Sequence, residues 1–295
     1  MLQKIISGVI IASSVLACAF YSPFIWFLMV LLVAVLGNYE LQKIIEEKKY
    51  RHSYKLITTF IVLFLSVTYI ASNVRVEDSS FSDLFYQLIA PKNVSNILEW
   101  KGAISNIIPF QDLVLGLAFL LIIIVSINYK PRITIGDLSF ALMRILYLGF
   151  FPSYMILMRS MPFGKEILVT LLFSSSFCDM GAYFAGKSFG KRLLLPEISP
   201  NKTVEGAIGG TIACTLVWII GGSFFGLAWY HALVIGIMTA VISQMGDLIE
   251  SLFKRDVGKK DSGDLIPGHG GILDRVDSYI FISFPAYFYF LYFVY

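Results

Sequence analysis

Long apolar runs, broken by short polar intervals, repeat from one end of this chain to the other. Each run is about 17 to 25 residues, the length at which an α-helix crosses the hydrocarbon layer of a bilayer. They fall near 4–21, 23–41, 56–73, 107–128, 138–158, 166–185, 205–222, 226–247 and 277–295. The pattern predicts an all-α integral membrane protein with about nine transmembrane helices. Ser22-Pro23 leaves almost no loop between the first two runs. The segment 74–106 mixes apolar and polar residues, and its pieces 82–90 and 94–100 suit short helices lying in the interface. No internal repeat, low-complexity tract or soluble domain interrupts the series.

Composition agrees with that picture. Of the 295 residues, 57% are hydrophobic and 15% charged, against about 25% charged in globular proteins. A net charge of +3 is too weak to imply a nucleic-acid partner, and none is expected. Its distribution says more. With the N-terminus in the cytoplasm, inside segments hold 17 Lys and Arg and outside segments 5. Basic residues favour the cytoplasmic side, so the N-terminus is expected inside and the C-terminus outside. Cys18, Cys178 and Cys214 lie in apolar stretches without metal-site spacing, which argues against a disulfide framework. Val15-Leu16-Ala17-Cys18 weakly resembles a lipoprotein cleavage site; the competing reading is a first membrane helix, which the topology needs.

Charges inside spans are costly, about 2.5–3.5 kcal/mol each at mid-bilayer on insertion scales. Arg144 lies roughly 9 Å deep in the fifth span, counting 1.5 Å per residue. Asp179 reaches a similar depth in the sixth, so an Arg144–Asp179 pair or a snorkelling Arg144 is the bland expectation. Asp247 ends the eighth span and Asp277 begins the ninth at the same, cytoplasmic face. Gly181, Ala185 and Gly186 permit close helix contact, while their neighbours can equally form a polar wall of a site. In Ser199-Pro200-Asn201-Lys202-Thr203, either Ser199 or Thr203 can cap the seventh helix. With Lys202 beside it, that helix start is also a ready phosphate site.

The densest chemistry lies between Gly246 and Ser278. Asp247, Glu250, Ser251 and Lys254 share one face if the eighth helix continues past the membrane. Asp274 and Asp277 are one turn apart at the start of the last helix. Carboxylates on two helix ends suit a hard divalent cation, whereas zinc would want more His or Cys than His269 alone. Asp247 and Asp274 are the expected metal ligands, with Asp261 and Asp277 as further ligands or supporting groups. The turn Pro267–Gly271 can present backbone N–H groups to an anion, through Gly270 and Gly271. Lys254, Arg255, Lys259, Lys260 and Arg275 supply positive charge for phosphate. Acids for metal beside bases for phosphate suggest phosphoryl or nucleotidyl transfer. A solvated loop attracting anionic lipid is the alternative. No Walker A, HExxH, GxSxG or dinucleotide motif is present.

The order Ser251-x-x-Lys254-Arg255-x4-Lys260-Asp261-x5-Pro267-Gly268-His269-Gly270-Gly271-x-x-Asp274-Arg275-x-Asp277 resembles the signature of phosphatidate cytidylyltransferases, or CDP-diacylglycerol synthases. The segments 246–251, 179–183 and 199–203 also look like family segments; Met180 and Asn201 stand where the family usually has Thr and often has Lys. The resemblance covers about 175–280 and implies cytidylyl transfer from CTP to phosphatidate, releasing pyrophosphate. It implies Mg²⁺, read as a two-cation site whose second ion is unspecified. Asp247, Lys260, Asp261, Asp274 and Arg275 are the expected catalytic residues. Asp179, Ser199, Lys202, Thr203, Lys254, Arg255, His269, Gly270 and Gly271 are the expected substrate-binding ones. The chain then divides into N-terminal transmembrane helices over 1–137 and a C-terminal transmembrane catalytic region over 138–295. The expected place is the cell (inner) membrane, multi-pass, with the site at the cytoplasmic face. Membrane lipid surrounds it, and the glycine-rich spans make a homodimer conceivable. A CTP-dependent polyprenol or phytol kinase is the nearest alternative, and a lipid or anion transporter the alternative of another class.

Overall fold

The computed structural model describes residues 2–47, 54–73, 114–121, 123–124, 134–256, 258, 262–263, 265 and 270–295. The segment 74–106 lies outside them, as does most of the span expected at 107–128, whose described residues are helical. The elements are α1 (Leu2–Tyr21), α2 (Pro23–Glu47), α3 (Tyr54–Asn73), α4 (Ile135–Ile145), α5 (Phe151–Ser160), α6 (Gly164–Phe189), α7 (Val204–Ser223), α8 (Trp229–Asp256) and α9 (Leu273–Tyr289). Six stretches among the described residues are long and apolar enough to cross a membrane: 23–44, 54–72, 135–160, 164–189, 204–223 and 229–255. The protein is therefore a largely helical, multi-pass type of chain.

Local chemistry explains where the helices start and bend. Ser22, between α1 and α2, accepts a hydrogen bond from the Ile25 N–H at 3.1 Å, so the one-residue connection also caps α2. Thr134 and Asp137 form a reciprocal capping box at the start of α4. The α4–α5 helix is continuous except for a π-helical turn, Leu146–Phe150, just before Pro152. Pro152 has no N–H to give, and the wider turn accommodates that loss.

The helices meet in two ways. The faces of α6 and α7 approach almost backbone to backbone: a Cβ at Gly181 would lie 2.6 Å from the Ala213 Cβ, and one at Gly210 would lie 2.7 Å from the Cys178 carbonyl. Close helix contact through small residues, expected for this segment, is thus present within one chain. Elsewhere large side chains fill the bundle. Trp26 is 1% exposed and donates its indole N–H to the Met155 carbonyl at 3.0 Å, locking α2 to α5. Tyr154 packs edge-on against Phe150, Phe284 and Tyr287, tying α5 to α9.

Arg144 is completely buried and turns toward α2. Its Nε donates to Asn38 Oδ1 at 2.7 Å, Nη1 to Gln42 Oε1 at 2.8 Å and Nη2 to the Asn38 carbonyl at 3.3 Å. The expected Asp179 contact gives way to this one. Equal depth in the membrane made Asp179 a candidate, but adjacency of helices decides partners, and α2 is the neighbour.

Candidate active site

Three elements converge at one end of the bundle. The first is a short antiparallel hairpin, β1 (Leu193–Leu195) and β2 (Ser199–Thr203), with Leu193 opposite Thr203 and Leu195 opposite Ser199. Hydropathy gives no sign of it. Glu205 closes its base by accepting from the Lys191 and Arg192 N–H groups at 3.0 and 3.2 Å. Thr203 caps α7, accepting from the Gly206 N–H at 3.1 Å. Ser199 sits in the strand instead. The hairpin and cap together hold Lys202 against α8, where its amine pairs with Asp247.

The second element is α8. It runs on to Asp256, beyond the apolar stretch that predicted it. That extra length carries Asp247, Glu250 and Lys254 along one face, as their spacing requires. Glu250 and Lys254 form an ion pair one turn apart. Gly246 makes room for the neighbour: a Cβ there would lie 3.1 Å from the Asp277 carbonyl.

The third is the start of α9, which brings Asp274 and Asp277. Ligand atoms of Asp247, Glu250 and Asp277 lie within 4.8 Å of one another. Glu250 is 4% exposed, and beyond the Lys254 ion pair no hydrogen-bond donor meets its carboxylate among the described residues. Three crowded carboxylates with two lysine amines nearby leave surplus negative charge around the buried Glu250. An oxygen-rich, anionic cluster of this kind fits a hard divalent cation. Asp179 is close enough to interact electrostatically with Asp247 and Lys202.

Asp274 stands beside the cluster in a different setting. It accepts from Lys254 Nζ at 2.8 Å, the Ser262 N–H at 3.0 Å and the Gly271 N–H at 2.9 Å. The Gly271 N–H, expected to face an anion, is thereby engaged with Asp274. Arg255 and Arg275 are exposed, and Gly270 adopts positive φ at the entry to α9. Lys260, Asp261 and His269 lie outside the described residues.

Two groups escaped the sequence reading. Glu250 shares the helix face with Asp247 and Lys254 in the sequence but is not among the expected metal ligands. Glu40, on α2, was not noticed at all, yet its carboxylate accepts from the Ile272 and Leu273 N–H groups at 2.8 and 3.0 Å. The only local signal was an acid among Asn38, Glu40 and Gln42, at the end of an apolar run.

Comparison with known proteins bears on this arrangement. A phosphatidate cytidylyltransferase of Staphylococcus saprophyticus is 43% identical over 155 residues, covering 52% of this chain and 59% of its own. One of Bacillus subtilis is 38% identical over 174 residues, covering 58% and 65%. One of a Synechocystis species is 37% identical, covering 55% and 65%. The chain thus spans about three-fifths of the length of these curated relatives. The family model described as "Cytidylyltransferase family" matches residues 2–294, nearly the whole chain. An acidic cluster flanked by lysines at a bundle end, in a chain matched almost from end to end, puts this protein in the cytidylyltransferase family.

Proposed function

We propose that this protein transfers the cytidylyl group of CTP to phosphatidate, giving CDP-diacylglycerol and pyrophosphate. The observation that carries the reading is the Asp247–Glu250–Asp277 cluster with Lys202 and Lys254 at its edges. Names of relatives support the substrates. A phosphate oxygen of phosphatidate attacks the α-phosphorus of CTP, and the bond from that phosphorus to the β-bridging oxygen breaks. The nucleophile needs no side-chain base, because a phosphate monoester loses its second proton near a pKa of about 6. The obstacle is bringing two polyanions together.

Each residue has a part in overcoming it. Lys202 and Lys254 attract and orient phosphate oxygens, as do Arg255 and Arg275 at the exposed rim. Asp247, Glu250 and Asp277 would hold Mg²⁺, with Asp274 beside them. Bound there, the cation would neutralise phosphate charge and polarise the reacting phosphoryl group. In-line positioning then supplies much of the remaining acceleration.

The topology we propose has nine spans, an N-terminus in the cytoplasm and a C-terminus outside. It puts the hairpin, the end of α8 and the start of α9 at the cytoplasmic face of the cell membrane. CTP reaches that face from water and phosphatidate from the bilayer. The catalytic region is 138–295, and 1–137 is the supporting one.

The test is incubation of purified protein with radiolabelled CTP, Mg²⁺ and phosphatidate in mixed micelles. A labelled CDP-lipid is expected. A phosphorylated polyprenol with no CDP-lipid would point to the kinase alternative. No conversion of either lipid, with transport of one into vesicles, would overturn the enzymatic reading.

A further inference from the structure

The start of α9 has no cap of its own. Ile272 occupies the N-cap position in helical conformation and offers no side-chain hydrogen bond. The first N–H groups of a helix need acceptors, and a buried start without them is costly. Here the acceptor comes from 232 residues away. Glu40 is 1% exposed; its Oε1 accepts from the Ile272 N–H at 2.8 Å and its Oε2 from the Leu273 N–H at 3.0 Å. A carboxylate at a helix N-terminus also meets the positive end of the helix dipole.

The same carboxylate reaches the loop that precedes α9. The Ser262 hydroxyl donates to Glu40 Oε2 at 3.2 Å, and the Ser262 N–H donates to Asp274 Oδ2 at 3.0 Å. One residue therefore connects Glu40 to Asp274. Two glycines record how tightly the loop closes on this group. A Cβ at Gly263 would lie 2.9 Å from Glu40 Oε1, and one at Gly271 would lie 2.6 Å from Glu40 Oε2. Glu40 thus crowds any side chain at 263, and at 271 Glu40 and, closer still, the Ser262 hydroxyl do so.

We propose that Glu40 is a positioning residue for the reaction: by capping α9 and clasping Ser262, Gly263 and Gly271, it sets Asp274 and Asp277 at their distances from Asp247. Glu40 touches no reacting atom. It makes the N-terminal helices part of the catalytic apparatus, because α2 carries the clamp and α9 the carboxylates. Burying a charge with three donors and a helix end is tolerable where burying it alone is not. The inference rests on the cytidylyl-transfer reading for its kinetic consequences, although not for its structural ones.

The experiment uses the full chain in detergent or nanodiscs, with Glu40→Gln, Glu40→Asp, Gly263→Ala and the double variant Glu40→Asp/Gly263→Ala. Glu40→Gln keeps the shape but loses the charge and turns one acceptor into a donor. Its kcat is expected to fall about 10–100-fold, the usual scale for a group supporting metal-binding residues. The Mg²⁺ concentration for half-maximal rate should rise, while KM for CTP changes little. Hydrogen exchange in peptides spanning 262–274 should quicken without substrate. Gly263→Ala pushes the carboxylate off its donors and should behave likewise. The shorter aspartate leaves room for that methyl, so the double variant should recover part of the rate lost by Gly263→Ala. Wild-type kcat and Mg²⁺ dependence in Glu40→Gln, or unchanged exchange at 262–274, would overturn the proposal. So would strictly additive losses in the double variant, which also decides the matter if Glu40→Gln does not fold. A wild-type protein that makes no CDP-lipid would sink the functional reading, while the exchange data would still judge the clamp.

Discussion

Two groups of buried and half-buried charge lie close together at one end of this bundle, and they are built on opposite plans. Around α2, every buried charge is met. Arg144 has Asn38 and Gln42 as acceptors, and Glu40 has three donors. Between α8 and α9, like charges are pressed together instead. Asp247, Glu250 and Asp277 share a space under 5 Å across, with lysines only at its edges. The first arrangement holds a fold; the second invites a cation and phosphate from outside. Burial alone does not mark a functional group. Burial with unbalanced charge does, and that is how strained electrostatics identify a site.

The largest expected effect breaks the second group. Asp247→Asn and Asp277→Asn each remove one negative charge from the crowd and keep the side-chain size. Turnover should fall about 10²–10³-fold, the scale for losing a main electrostatic element of a site. Melting temperature should hold or rise, since repulsion is relieved. Asp274→Asn should differ: it loses turnover as well, but it also loses stability, because its oxygens accept from Ser262 and Gly271. Measuring turnover and melting together on the three variants separates these outcomes. Equal melting losses at all three positions would mean that the cluster is structural.

Lys202→Ala comes next. Losing a hydrogen bond to a charged group costs about 1.5–3 kcal/mol. If Lys202 meets substrate phosphate, that loss appears in kcat/KM for CTP or phosphatidate, and thermal stability stays near wild type. If its work is only to balance Asp247, substrate dependence stays unchanged and the Mg²⁺ requirement shifts alone.

Arg144→Met tests the other plan. It strands Asn38 and Gln42 without their donor, and an unsatisfied buried polar group costs about 1–3 kcal/mol. Melting should drop while turnover per folded molecule holds. A fall in specific activity at unchanged melting would join Arg144 to the site and blur the contrast between the two groups.

How much of this could be read beforehand depended on how far apart the partners lie in the chain. The α8 face was legible, since Asp247, Glu250 and Lys254 are neighbours at helical spacing and the helix does continue. So was the cap at Thr203, a short-range pattern, and the close α6–α7 contact implied by Gly181 and its neighbours. The Glu40 clamp was not legible, because its partners lie 222 and more residues away. Nothing at the C-terminal end of α2 separates Glu40 from an ordinary acid at the end of an apolar run. Arg144 failed for a related reason: depth in the membrane can be counted along a helix, but which helix stands next to it cannot. The hairpin at 193–203 is three and five residues of strand, too short for any alternation to register.

The smallest effect concerns Thr203, where two readings remain on either side of the same comparison. As a cap, Thr203 belongs with the satisfied groups: its hydroxyl accepts from the Gly206 N–H and steadies the first turn of α7. As a phosphate ligand, it belongs with the site, one residue from Lys202. Capping predicts that Thr203→Ala lowers stability by about 1 kcal/mol and leaves KM for both substrates alone. Thr203→Ser, which keeps the hydroxyl, should restore the melting temperature. Phosphate binding predicts the reverse, a raised KM at unchanged melting. The geometry favours the cap, because the hydroxyl oxygen already accepts from an N–H of its own helix, and Gly186 and Gly190 approach so closely that a Cβ on either would lie 3.0 Å from it. The experiment is a melting curve and two substrate titrations on Thr203→Ala and Thr203→Ser. A raised KM in Thr203→Ala with normal melting would move this residue from the scaffold into the site.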